Sequence, residues 1–364
     1  MKNLLLLLTI FLFISCGEDD SQSSSADGYD RSAMLTNWAD NIIIPVYTDF
    51  QSKLASLKVA TTVFIGSQSQ ENLIELRNQY LESYKTWQYV VMFSSIGKAN
   101  ELEITRWINV YPTDNNLIES NILAGNVTLS TPSTNTQQGF PALDYLLYGV
   151  ANTDNDILTK FNSENYQVYL TNVVDRLIFL NDTVLNDWNN GYRNSFVSSS
   201  ENTAGSSVNL MVNDFVFNYE KYFRAYKLGN PLAIFGGDIK SQDVESLYGK
   251  HSKELCISGL DAIEDFFNGK YYSSAVQGES LKSYLLYLNS KSDGEALVPV
   301  ILSQMDVART NINLLNEDFQ NQINTDIEAA YTTYDEIQKL VPMLKIDMRQ
   351  AFNIAGDYQD SDGD

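Results

Sequence analysis

Three observations predict an all-α protein with two helical domains. Apolar residues recur at three- and four-residue spacing over most of the chain, sustained period-two alternation is absent, and a Ser-rich segment near residue 200 leaves enough helix on each side for a four-helix bundle. Three apolar stripes stand out. Leu73, Leu76, Tyr80, Tyr84, Trp87 and Val91 form the first; Tyr166, Leu170, Val173, Leu177, Leu180, Val184 and Trp188 the second; Ile323, Ile327, Ala330, Tyr334, Ile337, Val341, Leu344 and Met348 the third. Each keeps one face apolar over many turns, as a bundle helix does when it buries one side.

The elements follow in chain order. Met1-Lys2-Asn3 supplies one positive charge ahead of an apolar run, Leu4 to Ile14, that is too short to cross a bilayer. Residues 1–15 are therefore expected to be a lipoprotein signal peptide. Phe13-Ile14-Ser15-Cys16 reads as a lipobox, with cleavage before Cys16 and a lipid anchor attached to it. The other reading is ordinary cleavage to a soluble secreted protein. Glu18-Asp19-Asp20 resembles the acidic export tag of Bacteroidetes surface lipoproteins, so the expected location is the outer membrane, facing the periplasm or the cell surface. Residues 16–30 are rich in Ser and Asp without apolar periodicity and are expected to be a flexible tether.

An N-terminal bundle is expected over residues 31–196. Ser67 with Gln70 reads as the capping box that opens the helix of the first stripe. Val127 to Gln138 (VTLSTPSTNTQQ) and Val197 to Ser207 (VSSSENTAGSS) are loops, and the second marks the domain boundary. A C-terminal bundle is expected over 208–356, with Pro342 kinking the third stripe or marking a helix junction. Residues 357–364 read as an acidic tail: Asp360-Ser361-Asp362-Gly363-Asp364 opens like a calcium loop but lacks the downstream Glu.

Charge and cysteine content narrow the function classes. Lys and Arg number 24 against 46 Asp and Glu, a net charge of −22 that repels nucleic acid and raises the local concentration of cations. Solubility is the plainer consequence of the same charge. With Cys16 acylated, Cys256 is the only remaining thiol, so no internal disulfide forms and Cys256 is expected to be a small buried residue. Stability must then come from core burial, and a monomer is expected.

The segment Gly139-Phe140-Pro141-Ala142-Leu143-Asp144-Tyr145-Leu146-Leu147-Tyr148-Gly149 carries the strongest motif. It resembles the signature of imelysin-like proteins, the bacterial family also called iron-regulated protein A or peptidase family M75. That family reads Gly-x-His-x-x-Glu followed by a Tyr-Leu-Leu-x-Gly-type tail; here Pro141 stands at the His position and Asp144 at the Glu position. Further blocks resemble the family in the expected order: Asn41 to Phe50, with its Pro and Tyr; Trp87 with Gly97; Ile108-Asn109-Val110-Tyr111-Pro112-Thr113-Asp114; Lys227-Leu228-Gly229-Asn230-Pro231-Leu232; and the ending from Lys345. The resemblance implies two similar four-helix bundles packed side by side, a functional site between them, and an association with iron acquisition. It leaves the cofactor open: iron or another divalent cation.

On a helix, positions i and i+3 share a face, so a His and a Glu at that spacing can hold one metal ion. Pro141 offers no donor atom. Asp144 keeps a carboxylate one methylene shorter than Glu, which suits a hard cation on its own only weakly. In the alternative, Pro141 opens a helix at its first turn, and Asp144 interacts with a helix N-terminus. The single histidine, His251, lies in Gly249-Lys250-His251-Ser252-Lys253-Glu254, a second Gly-x-His-x-x-Glu. Two readings stand: His251 and Glu254 join Asp144 across the interface in a displaced cation site, or His251 is a solvated residue between Lys250 and Lys253.

One histidine cannot furnish a zinc-peptidase site, and no Gly-x-Ser-x-Gly elbow is present, so peptidase chemistry is not expected. Arg106, Trp107, Asn109 and Tyr111, with Tyr219, Arg224, Tyr226 and Lys227, could line a cleft that holds an iron chelate. Expected, then, is a non-enzymatic binding protein of the envelope linked to iron homeostasis. Its rivals are an M75-type metallopeptidase and a surface interaction protein with a decayed site.

Overall fold

The structure, a computed structural model, describes residues 27–126 and 128–356. The expected signal peptide, Cys16, residues 16–26 of the tether and the acidic tail lie outside the described residues. Among those described, the fold is all-α, as the periodicity predicts. The only strands among the described residues are the two-residue antiparallel pair Lys291–Ser292 and Glu295–Ala296. No described helix is long and apolar enough to cross a membrane.

The principal helices are α1 (31–66), α2 (Gln70–Val90), α3 (139–149), α4 (Glu164–Asp187), α5 (207–229), α6 (Ser252–Asn268), α7 (Leu297–Leu314), α8 (Ile327–Gln338) and α9 (340–351). Helix α2 is capped two residues later than expected. Ser67 ends α1, its N–H bonded to the Val63 carbonyl at 3.0 Å, so Ser69 becomes the cap and accepts from the Asn72 N–H at 3.2 Å. Helix α4 buries its whole stripe and stops where Asn190 and Gly191 leave helical geometry. The third stripe is not one helix. Asp326, at φ −151° and ψ 78°, separates Phe319–Thr325 from α8, and its side chain caps α8 by accepting from the Ala329 N–H. Pro342 lies in the first turn of α9, at the predicted junction.

Helix α1 packs against α2 and α4, and α3 closes over α4 and α2. In the second half α6 packs on α5 and α7, and α8 on α7 and α5. The halves meet where α6 lies along α2. Phe266 of α6 touches Trp38 (ring centroids 5.1 Å) and Phe93 (5.7 Å) from the first half and Phe215 (5.6 Å) from the second. Buried apolar residues accordingly form one continuous cluster from Met34 to Ile354. Cys256 of α6 is buried in it, and burial pushes its thiol up to about 12.

A second tie joins the start of the described chain to the other half. The Tyr29 ring stacks on Tyr284 at 4.2 Å, and Tyr284 stacks on Phe352 at 4.4 Å. Arg31 donates to Asp27 at 2.8 Å and to the Tyr284 hydroxyl at 2.5 Å.

Candidate functional site

Helix α3 is held at both ends by glycines. Gly139 has φ +75°, and a Cβ there would overlap the carbonyl of Ile108. A Cβ on Gly149 would overlap the Tyr248 ring. Between them Pro141 sits buried in the first turn, where its missing N–H breaks no helix bond. Phe140 stacks on Tyr84 of α2 at 4.3 Å, which fixes the face α3 turns toward the other half.

Asp144, also buried, points its carboxylate at the loop that precedes α6. The backbone N–H groups of Tyr248 and Gly249 donate to it at 2.8 and 2.9 Å, and the hydroxyls of Ser246 and Tyr80 each donate at 3.1 Å. Four donors match the roughly four lone-pair sites of a carboxylate. Burial nevertheless pushes the carboxyl up to about 6, against the pull of those donors. Gly249 has to be bare here, since a Cβ would stand 2.8 Å from an Asp144 oxygen. Pro141 and Asp144 border a narrow cleft with Tyr111, Ser246 and Tyr248.

Residue 245 of the same loop faces a second cleft between the halves. Glu245 pairs with Lys227, both side chains under 5% exposed. Glu245 also accepts from Asn109 at 2.8 Å and Gln88 at 3.1 Å, and Lys227 donates to Gln88 at 2.8 Å. Tyr84 completes the network by donating to Asn109 at 2.6 Å. Above this floor stand the apolar walls Trp87, Val91, Phe223 and Ile263, and half-buried Tyr111, Tyr222 and Tyr226. The cleft is narrow and partly open to solvent, with a cavity volume of about 20 Å³. That is room for one or two waters. Two buried atoms of its lining residues have no hydrogen-bond partner among the described residues: Trp87 Nε1 and Asn218 Oδ1.

The family model for imelysin (peptidase M75) matches residues 43–344. The chain belongs to the imelysin family. Two solved structures share the fold. An iron-regulated protein A precursor from Parabacteroides distasonis ATCC 8503 aligns over 88% of this chain and 95% of its own, with 19% identity and a TM-score of 0.74. An imelysin-like protein from Psychrobacter arcticus 273-4 aligns over 90% and 97%, with 15% identity and a TM-score of 0.69. No curated protein sequence matches the chain.

In this imelysin the predicted site residues scatter into several environments. Asn109, Tyr111, Tyr226 and Lys227 line the interface cleft, and Gly139, Pro141 and Asp144 lie on α3 beside it. Arg106 does not join them. It is exposed and donates to Glu103 at 2.9 Å, because the short helix Thr105–Ile108 turns Trp107 and Ile108 inward instead. Tyr219 and Arg224 also lie elsewhere, in the second half's core: Tyr219 donates to the Ile337 carbonyl at 2.6 Å and Arg224 pairs with Gln338.

His251 precedes α6 with its ring edge toward Tyr148, centroids 6.0 Å apart, and its Nδ1 lies 3.6 Å from Glu254. Burial lowers its pKa. Glu254 is shared with Lys85 at 3.1 Å, and the Asp144 oxygens face four donors. The three therefore do not assemble as a cation site, and no group of three or more His, Cys, Asp or Glu side chains among the described residues is placed to hold one. Sequence reading missed Glu245, Gln88 and Asn218. Glu245 sits in a loop without periodicity, and the other two are polar positions on helices whose apolar neighbours dominate the pattern.

Proposed function

We propose that this imelysin is a non-enzymatic binding protein of the cell envelope, anchored through Cys16, with its ligand site in the cleft between α2, α5 and α6. One observation carries the reading. At the signature helix the imidazole position is Pro141, and the neighbouring carboxylate is spent on four internal donors, which argues against a metal-activated water for peptide hydrolysis at that position. The cleft beside it, by contrast, sets an aromatic rim over a buried polar floor. The link to iron homeostasis rests on kinship with a protein described as iron-regulated.

Casein and insulin incubated with the purified protein and Zn²⁺, Fe²⁺ or Cu²⁺ should remain intact. A metal-dependent cleavage product would restore the peptidase reading. Radiolabelled palmitate should enter the wild type but not Cys16→Ala; equal labelling of both removes the anchor. Calorimetric titration with the same three metals should give the same isotherm for wild type and His251→Ala.

A further inference from the structure

We propose that residues 246–251 form a lid over the signature helix α3, latched by Asp144, and that releasing the latch opens the cleft beside Pro141. This goes beyond the reading of the interface cleft as a ligand site and does not depend on it.

The lid has a fixed base. Ser252, the first residue of α6, donates its hydroxyl to the Glu245 carbonyl at 2.6 Å, which ties the two ends of the loop together. Glu245 is itself held by its buried pair with Lys227. Between these anchors the backbone turns at Ser246 (φ +54°) and Lys250 (φ +63°), both in the left-handed region that a residue with a Cβ enters only at a cost. These two positions are the hinges. Returning them to ordinary φ swings the residues between them and leaves the ion pair in place.

Two signature positions hold the lid down. Asp144 accepts from the backbone N–H groups of Tyr248 and Gly249 and from the Ser246 hydroxyl, so three of its four donors belong to the lid. Gly149 is the seat of the Tyr248 ring, which a Cβ there would strike at 2.4 Å. The same ring meets Tyr145 edge-on, centroids 5.5 Å apart, and its hydroxyl accepts from Asn115. Ser246, Leu247 and Tyr248 form one wall of the narrow cleft that Tyr111, Pro141 and Asp144 also line. Lifting the lid removes that wall and brings water to Asp144.

Water at Asp144 gives the latch a sign with pH. Under the closed lid burial holds the carboxyl at about 6, whereas a hydrated Asp returns to its ordinary 3.8. The closed form therefore has its full advantage below about pH 4 and loses it as pH rises through 6. On those two values the open fraction rises about tenfold between pH 5 and pH 7.5. Of the groups around Asp144, Tyr80 and Tyr84 of α2 and Tyr148 of α3 are raised by burial beyond this range. Arg77, over the Tyr148 ring at 4.4 Å, is paired with Asp154. His251, beside Gly249 and near Glu254, is lowered by burial and works in the opposite sense, since closure over a neutral imidazole gains as pH rises.

Hydrogen exchange of the Tyr248 and Gly249 amides in the full-length protein tests the lid. Both should exchange faster than amides in the middle of α4. Their protection, corrected for the intrinsic effect of pH, should fall about tenfold from pH 5 to pH 7.5. Asp144→Asn should abolish that fall, and His251→Ala should preserve it. Gly149→Ala should lower protection at every pH and keep the fall, because the latching carboxyl remains. Exchange of the two amides only at the rate of the α4 core, with the whole molecule unfolding, overturns the lid. Local exchange with no fall, or a fall that survives Asp144→Asn, overturns Asp144 as its latch.

Discussion

Asp144 shows how burial and hydrogen bonding contend for one carboxyl group. Its folded pKa of about 6 lies above the ordinary 3.8, so its contribution to stability is complete below about pH 4 and fades as pH rises through 6. Replacing it by Asn keeps an acceptor but turns an amide N–H toward a backbone donor, costing about 1–3 kcal/mol. The stability gap between wild type and Asp144→Asn, measured by urea unfolding from pH 4.5 to 7.5, should therefore narrow as pH rises, by at most about 3 kcal/mol. A gap that widens with pH would mean the four donors outweigh burial. At this scale the sequence was only half legible. Pro141 as a first-turn residue could be anticipated from its ring chemistry. The partners of Asp144 could not, because Ser246, Tyr248 and Gly249 lie about a hundred residues away in a loop that has no period to read.

Helices were legible wherever one face is buried over many turns. The stripes of α2 and α4 are buried from end to end, whereas the third is broken because the Asp326 side chain caps α8 more favourably than a helix interior would hold it. Asp326→Ala should cost about 1 kcal/mol, read as a lowered urea midpoint. Glycines at helix ends divide by what surrounds them. Gly125, at φ +65° after Ala124, has open space where a Cβ would go, so Gly125→Ala should cost about 1–2 kcal/mol from backbone strain alone. Gly139 has comparable strain and a carbonyl in the way, and Gly139→Ala should cost about 3 kcal/mol or more. Equal costs at the two sites would show that α3 can shift to relieve the overlap. The first Gly of the signature thus has a steric reason, independent of any metal.

Across the whole molecule, the contact of α6 with α2 and the continuous apolar cluster argue for a single cooperative unit despite the Ser-rich segment near residue 200. Calorimetric unfolding should show one transition with matching calorimetric and van't Hoff enthalpies; two resolved transitions would mean that each half holds its own core. The excess of acidic residues should make the melting temperature rise with added NaCl as self-repulsion is screened. Composition and periodicity made the helical class readable, but not the pairing of distant helices, which depends on packing between side chains far apart in sequence. The pile of Tyr29, Tyr284 and Phe352 has a mechanical consequence. It brings both ends of the folded body within one aromatic ring of each other, so a tug on the amino-terminal lead would be passed to the carboxy-terminal portion before it strained α1. The same closeness would let a short bridge join the two ends, with new termini opened in the serine-rich stretch and the architecture kept.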